Sequence, residues 1–174
     1  MPFALRPGPA PAVTALVRDG IDFSLHPFNP DDVEDGVELA ELLDVEPHRV
    51  LDTVVVDAGG RLAACIVPAG WELDDDAAAD ALGAAGVRPA LEAMAERVTG
   101  LPVEAMSPLG HRRRIPVLVD RSVMALGIPS PQITVFVGSG QPGLEVELAL
   151  GDLLAATGAT EAALTGGSGP AAGS

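Results

Sequence analysis

The chain has no lysine and a single cysteine, Cys65. One cysteine excludes an internal disulfide and a multi-cysteine zinc site. Cys65 lies inside an apolar strand-like run and reads as packing filler, since a reactive thiol needs a histidine partner that the sequence does not supply. The three histidines, His26, His48 and His111, are too scattered to suggest a metal site, so no metal and no cofactor is expected. Positive charge is also scarce. Ten arginines stand against 25 acidic residues, for a net charge of −15, which disfavours nonspecific binding to DNA. Long apolar runs are missing as well. None approaches the roughly 18 residues of a membrane helix, and the N-terminus lacks a basic-plus-apolar leader pattern. The expectation is a cytoplasmic protein, monomeric and without a membrane partner.

What is present is enough hydrophobic sequence, 48% of 174 residues, to fill one core. The first ten residues are proline-rich and read as an irregular lead-in. "AVTALVRDG" has helical spacing and stops at Gly20. "IDFSLHPF" alternates like a half-buried strand, "NPDDVED" is an acidic turn, and "GVELAELLDV" is a short helix closed before Pro47. "RVLDTVVVDAGGRLAACIVP" reads as a hairpin turning at Gly59-Gly60. "DDDAAADALGAAG" places carboxylates at a helix start, where the macrodipole favours them. "RPALEAMAERVTG" gives a second amphipathic helix, with Leu91, Met94, Ala95 and Val98 on one stripe. "PVEAM" suggests a short strand before a Ser-Pro-Leu-Gly bend. Strands over 115–119, 132–137 and 144–148 and a helix in "GDLLAATG" follow. A Gly/Ala/Ser-rich flexible tail is expected over 160–174. Hairpin-linked strands mixed with helices argue for an α+β fold over a doubly wound parallel sheet.

Three features could carry chemistry. On the hairpin strand, Asp52 shares a face with Val50, Val54 and Val56, and a carboxylate there is costly unless it is paired, solvated or used. The Ser107-Pro108-Leu109-Gly110 bend leads into His111, Arg112, Arg113 and Arg114, which gather nearly a third of the positive charge. Gly138-Ser139-Gly140 with Gly143 makes a bend whose backbone N–H groups could approach a ligand. Each also has a plainer reading as turn, corner or solvated loop. The glycine bend is neither a phosphate loop nor a dinucleotide fingerprint, because no lysine completes the first and a strand follows where the second needs a helix. No serine nucleophile elbow is present.

In order and spacing, "PAVTALVRDGIDFSLHPF", "GVELAELLDVEPHRVLDTVVVDAGGRLAACIVP", "RVTGLPVEAMSPLGHRRRIPVLVD" and "ITVFVGSGQPGLEVELALGDLLAATGA" together resemble the YbaK-like family. Those proteins are related to the editing domain inserted in bacterial prolyl-tRNA synthetase. The resemblance spans 11–159. Ser-Pro-Leu-Gly before basic residues and Ile-Pro is its most specific element, supported by Gly143, Leu144, Glu147 and Leu148. It implies a curved mixed sheet forming a barrel-like core with helices outside. The implied activity is hydrolysis in trans of mischarged aminoacyl-tRNA, releasing a small amino acid from the acceptor end of a tRNA specific for proline.

In that family the hairpin strand reads Phe-Lys-Thr-Leu, and the lysine faces the pocket. Here the matching residues are Leu51, Asp52, Thr53 and Val54, so charge is reversed at the lysine position. Glu104 and Ala105 stand where the family has a glycine pair. The resemblance marks Asp52 and Thr53 as candidate catalytic residues. Candidate substrate-binding residues are His26, Ser107, Pro108, Gly110, Arg112, Arg113, Arg114, Gly138, Ser139 and Gly140, with the arginines expected to meet acceptor-end phosphates. Two functions follow: a deacylase with a retuned pocket, in which Asp52 binds an ammonium group or serves as general base, or a degenerate module that binds an amino acid, a nucleotide or a protein.

Overall fold

The computed structural model describes residues 10–166. The lead-in over 1–9 and the end of the tail from 167 lie outside the described residues. Six helices and two sheets make up the rest. Helix α1, Pro11–Asp19, starts with proline in its first turn, where a missing N–H costs nothing, and ends at Gly20 in the left-handed conformation. Strand β1, Ser24–Pro27, follows. Helix α2, Gly36–Leu43, is capped by Asp35, whose carboxylate accepts from the Glu38 N–H at 2.8 Å.

Strands β2, Leu51–Ala58, and β3, Arg61–Pro68, form the expected antiparallel hairpin. Strand β3 is central and buried from Leu62 to Pro68, which explains its unbroken apolar run. Helix α3, Asp75–Leu82, is capped by Asp74, which accepts from the N–H groups of Asp76 and Ala77. Strand β4 is the pair Arg88–Pro89. In helix α4, Glu92–Thr99, the anticipated apolar stripe is only partly used: Ala95 is buried, whereas Leu91 and Met94 are exposed. The strand expected near Val103 is instead a 3₁₀ turn, Val103–Ala105. Then come β5, Val117–Asp120; α5, Arg121–Ala125; β6, Thr134–Gly138; β7, Leu144–Ala149; α6, Leu150–Thr157; and β8, Thr160–Ala162.

Strands β1, β7 and β6 form an antiparallel sheet, and β4, β2, β3, β5 and β8 a mixed one. The barrel-like closure anticipated from the sequence does not occur. Among the described residues the two sheets are bridged at Val50–Phe136 and otherwise remain separate ladders. Between them lies the main core, built from Leu51, Ala64, Ile66, Val119, Val135, Val137, Val146 and Leu148, with α1 and α6 closing it through Leu16 and Leu153. On the other face of the mixed sheet, Val56, Cys65, Val67 and Leu118 pack on Ala78 of α3.

The tail boundary at 160 also needs correction. Strand β8 pairs in parallel with β5, and Leu164 is fully buried. The Leu164 N–H donates to Asp120 Oδ1 at 2.7 Å. The buried Asp120 carboxylate also accepts from the Ser122 N–H at 3.0 Å, so one side chain caps α5 and pins the chain beyond β8. No described helix is long and apolar enough to cross a membrane.

Candidate active site

Strand β2 pairs with β3 along one edge for its whole length. Among the described residues its other edge is held by the Val50–Phe136 bridge, by Val55 O accepting from the Ala90 N–H at 3.0 Å and by Val56 and Asp57 against β4. The gap between opens onto a cavity of about 500 Å³. Residues 51–54 form one wall, the start of α2 with Asp35 and Gly36 a second, the turn Val103–Met106 a third, and Gly138 and Glu145 of the other sheet with Gly143 of the turn between them a fourth.

Asp52 faces α2. Its Oδ1 would stand 3.0 Å from a Cβ built on Gly36, and Ala69 Cβ would stand at 2.8 Å, so only glycine lets the helix start this close. Gly138 has a similar task, because a Cβ there would lie 2.3 Å from the Met106 carbonyl oxygen. The Gly140 N–H, donating to Ala105 O at 2.9 Å, ties the same wall to the end of β6.

The electrostatics of the cavity are one-sided. Glu34, Asp35, Asp52, Glu104 and Glu145 border it, and among the described residues no arginine or histidine does. Burial, and next the charge of Asp35, push the Asp52 carboxyl up to about 6. Glu145 is 7% exposed; burial, and next the charge of Asp52, push it up to about 8. At neutral pH the cavity therefore pairs a carboxylate at 52 with a protonated carboxyl at 145. Among the described residues neither carboxyl has a hydrogen-bond partner. Thr53 Oγ1 is buried and likewise unpartnered.

Against known families, residues 31–156 match the aminoacyl-tRNA editing domain. The chain belongs to that family. Among curated proteins, the editing domain is 28% identical over 89 residues to a proline–tRNA ligase of Geobacillus thermodenitrificans (strain NG80-2); the match covers 51% of this chain but only 16% of the ligase. Among solved structures, it resembles a candidate trans-editing enzyme for prolyl tRNA synthetase, with a TM-score of 0.76 at 23% identity over 87% of this chain and 92% of that one. A hypothetical protein gives a TM-score of 0.73 at 25% identity, over 86% of this chain and 95% of that one. The relationship read from the order of sequence segments is thus the one found.

Of the residues singled out in the sequence, Asp52, Thr53 and Gly138 border the cavity of the editing domain. The others sit elsewhere. Ser107 is fully buried, and its Oγ accepts from the Leu109 N–H at 3.1 Å. A Cβ on Gly110 would lie 2.6 Å from the Pro11 backbone, and one on Gly140 would lie 2.8 Å from Leu101 Cδ2. Ser139 is buried, its Oγ donating to Gln141 O at 3.1 Å, and its carbonyl accepts from the Ala12 N–H at 3.1 Å. The Ser-Pro-Leu-Gly corner and the glycine bend thus make a tight joint around the start of α1, with the cavity wall at Met106 on its far side.

Pro108, Gly110, His111 and Arg114 border a separate groove of about 620 Å³ shared with Arg18. His111 Nε2 bonds Ser107 O at 2.6 Å, and burial lowers its pKa. Arg112 lies over Gly100, while Arg113 is exposed. His26 bonds Glu147 at 2.9 Å and meets Phe136 edge-on, away from the cavity.

Two site residues, Glu145 and Asp35, were not visible in the sequence. Strand alternation sets Glu145 and Glu147 on one face of β7. Register then separates their roles, since Glu147 lies opposite Ser24 and Phe136, whereas Glu145 lies opposite Gly138 at the cavity. Glu104 of the cavity wall and Glu92 and Glu96 of α4 bring carboxylate oxygens within 4.8 Å of one another. Glu96 there already accepts from the Val103 N–H at 3.1 Å.

Proposed function

We propose that this editing domain hydrolyses the ester of mischarged aminoacyl-tRNA in trans, with Asp52 as general base. The observation that carries the reading is the Asp52 carboxyl at the wall of a 500 Å³ cavity, where burial and the charge of Asp35 raise it to about 6. Such a group is ionised at neutral pH yet basic enough to take a proton from water. Water attacks the ester carbonyl as Asp52 accepts its proton. The new C–O bond forms, the bond to the ribose oxygen breaks, and the proton passes to that leaving oxygen. Thr53, with no other hydroxyl partner to give up, is suited to hydrogen-bond the water or the ester. The acceptor-end phosphates would follow Arg114 in the separate groove that Arg18 and its partner Asp19 also line, away from the acidic cavity.

A second reading rests on a specific observation. An acyl transfer develops negative charge on oxygen, and among the described residues this cavity offers carboxyls and no cation to meet it. That favours a module that binds without hydrolysing. Purified protein incubated with a panel of mischarged tRNAs separates the two. Amino-acid release that rises through about pH 6 and is lost in Asp52→Ala supports the deacylase. Release unchanged in that variant rejects Asp52 as base, and saturable ligand binding without any release favours the module.

A further inference from the structure

We infer that the cavity selects aminoacyl groups bearing a second positive charge, lysyl or ornithyl esters in chemical class, with Asp35 and Glu145 as the receptor for the ammonium groups and Asp52 left as the base. This rests on the deacylase reading and goes beyond it by naming the substrate class. The family resemblance points to a small neutral amino acid, and the cavity departs from that expectation in two ways.

The first is charge. The chain has ten arginines, and several carboxylates elsewhere take one as a neighbour: Asp57 has Arg88 at 3.4 Å, Glu147 has Arg49 at 3.6 Å and Asp19 has Arg18 at 3.1 Å. Among the described residues no arginine borders the cavity, although Asp52 and Glu145 there are costly to leave unpaired. Glu145 is only 7% exposed, borders the cavity and has no hydrogen-bond partner among the described residues. A carboxyl so placed is satisfied by what enters from outside. Asp52 acts as the base, so Asp35 and Glu145 are left to take the ammonium groups, and the side-chain ammonium draws Glu145 into its ionised form.

The second departure is shape. A volume of about 500 Å³ falls within the range of small-molecule sites and leaves room well beyond an alanyl group. Between the carboxyls the walls are apolar, from Leu39, Val50, Val54 and Met106. A methylene stem packs on such walls while its charged end reaches a carboxylate. Titration fits the same picture. In the empty cavity, burial and the charge of Asp52 keep Glu145 protonated at neutral pH. Asp35, Glu34 and Glu104 add negative charge around the cavity, and the neighbouring His26 is committed to Glu147. A dication entering this set favours ionised Glu145, so binding should release a proton.

The test pairs a lysyl group with norleucyl, which keeps the four-carbon stem without the terminal ammonium. Release is measured from lysyl-, ornithyl-, norleucyl- and alanyl-tRNA with the full chain. Binding of lysinamide and norleucinamide is measured independently by calorimetry in two buffers of different ionisation enthalpy. The expected results are a kcat/KM at least about tenfold higher for lysyl than for norleucyl, a matching affinity ratio, and proton release with lysinamide only. Glu145→Gln and Asp35→Asn, which keep side-chain size and the helix cap, should each lower the lysyl-to-norleucyl ratio severalfold. Hydrolysis without discrimination between lysyl and norleucyl overturns the inference and leaves the deacylase reading standing. Discriminating binding without hydrolysis of any ester leaves the inference and overturns the deacylase. Calcium or magnesium binding that displaces lysinamide would assign the carboxyls to a metal and overturn the inference.

Discussion

Replacing Glu145 by glutamine should make the protein more stable, and only above a certain pH. A carboxyl moved from its ordinary 4.5 to about 8 carries a ceiling of about 5 kcal/mol of destabilisation once ionised. Water entering the open cavity lowers this, and we expect about 2–4 kcal/mol at pH 9. The sign follows from proton binding. Below about pH 4.5 the folded and unfolded chains both hold the proton, and nothing is lost. Between about 4.5 and 8 the unfolded chain sheds the proton while the folded chain keeps it, so parent stability falls with pH. Above about 8 the penalty is complete.

Glutamine has no proton to lose, so the gap between variant and parent should open across that window and then level off. Asp52, Asp35, Glu34 and Glu104 around the cavity are common to both proteins and largely cancel in the difference. Any cost of burying the amide is a constant offset at every pH. Urea denaturation of both proteins at pH 5, 6.5, 8 and 9 reads the gap directly. A gap that does not change with pH would refute the reasoning, as would one that closes as pH rises, because either means Glu145 is not a buried carboxyl held neutral by the cavity.

Asp120→Ala should cost about 2–4 kcal/mol in urea denaturation, since it strips partners from the buried Leu164 N–H and the Ser122 N–H at once. Protection of the Leu164 amide from hydrogen exchange should fall with it. Gly138→Ala should destabilise by about 1–3 kcal/mol, because its methyl would meet the Met106 carbonyl at 2.3 Å. If the Met106 wall shifts to make room, amino-acid release should fall as well; unchanged release with an unchanged melting temperature would show that the contact is not tight. Burial pushes the Cys65 thiol up to about 12. It should resist a disulfide reagent at pH 8 until the protein unfolds, and rapid labelling of the native chain would contradict its placement inside β3.

The hairpin, the caps and the fold class were legible in the sequence because they depend on near neighbours. Gly59-Gly60 turns the chain, Asp74 and Gly83 bound α3, and Gly20 stops α1 whatever the rest of the molecule does. The unexplained carboxylate on the β2 face was equally visible, since strand alternation alone sets Asp52 in line with valines. Strand β8 was missed for the opposite reason. Thr160–Ala162 carries no alternating apolar pattern, and its partner β5 lies about forty residues earlier. Strand β4 and helix α5 are too short for a periodic signal. The Ser-Pro-Leu-Gly corner and the glycine bend stood out correctly as special, but their task is close packing against Pro11, a contact spanning about a hundred residues or more.

By itself, then, the sequence determined the local elements, the α+β class, the family and the presence of a charge out of place at position 52. Tertiary structure alone decided what surrounds that charge. Whether a glutamate on an alternating strand meets an arginine, as Glu147 does, or an unpaired carboxylate across a cavity, as Glu145 does, depends on which distant strand lies opposite. That register follows from burying the valines and leucines between the two sheets, a condition on the whole core that no short stretch of chain encodes.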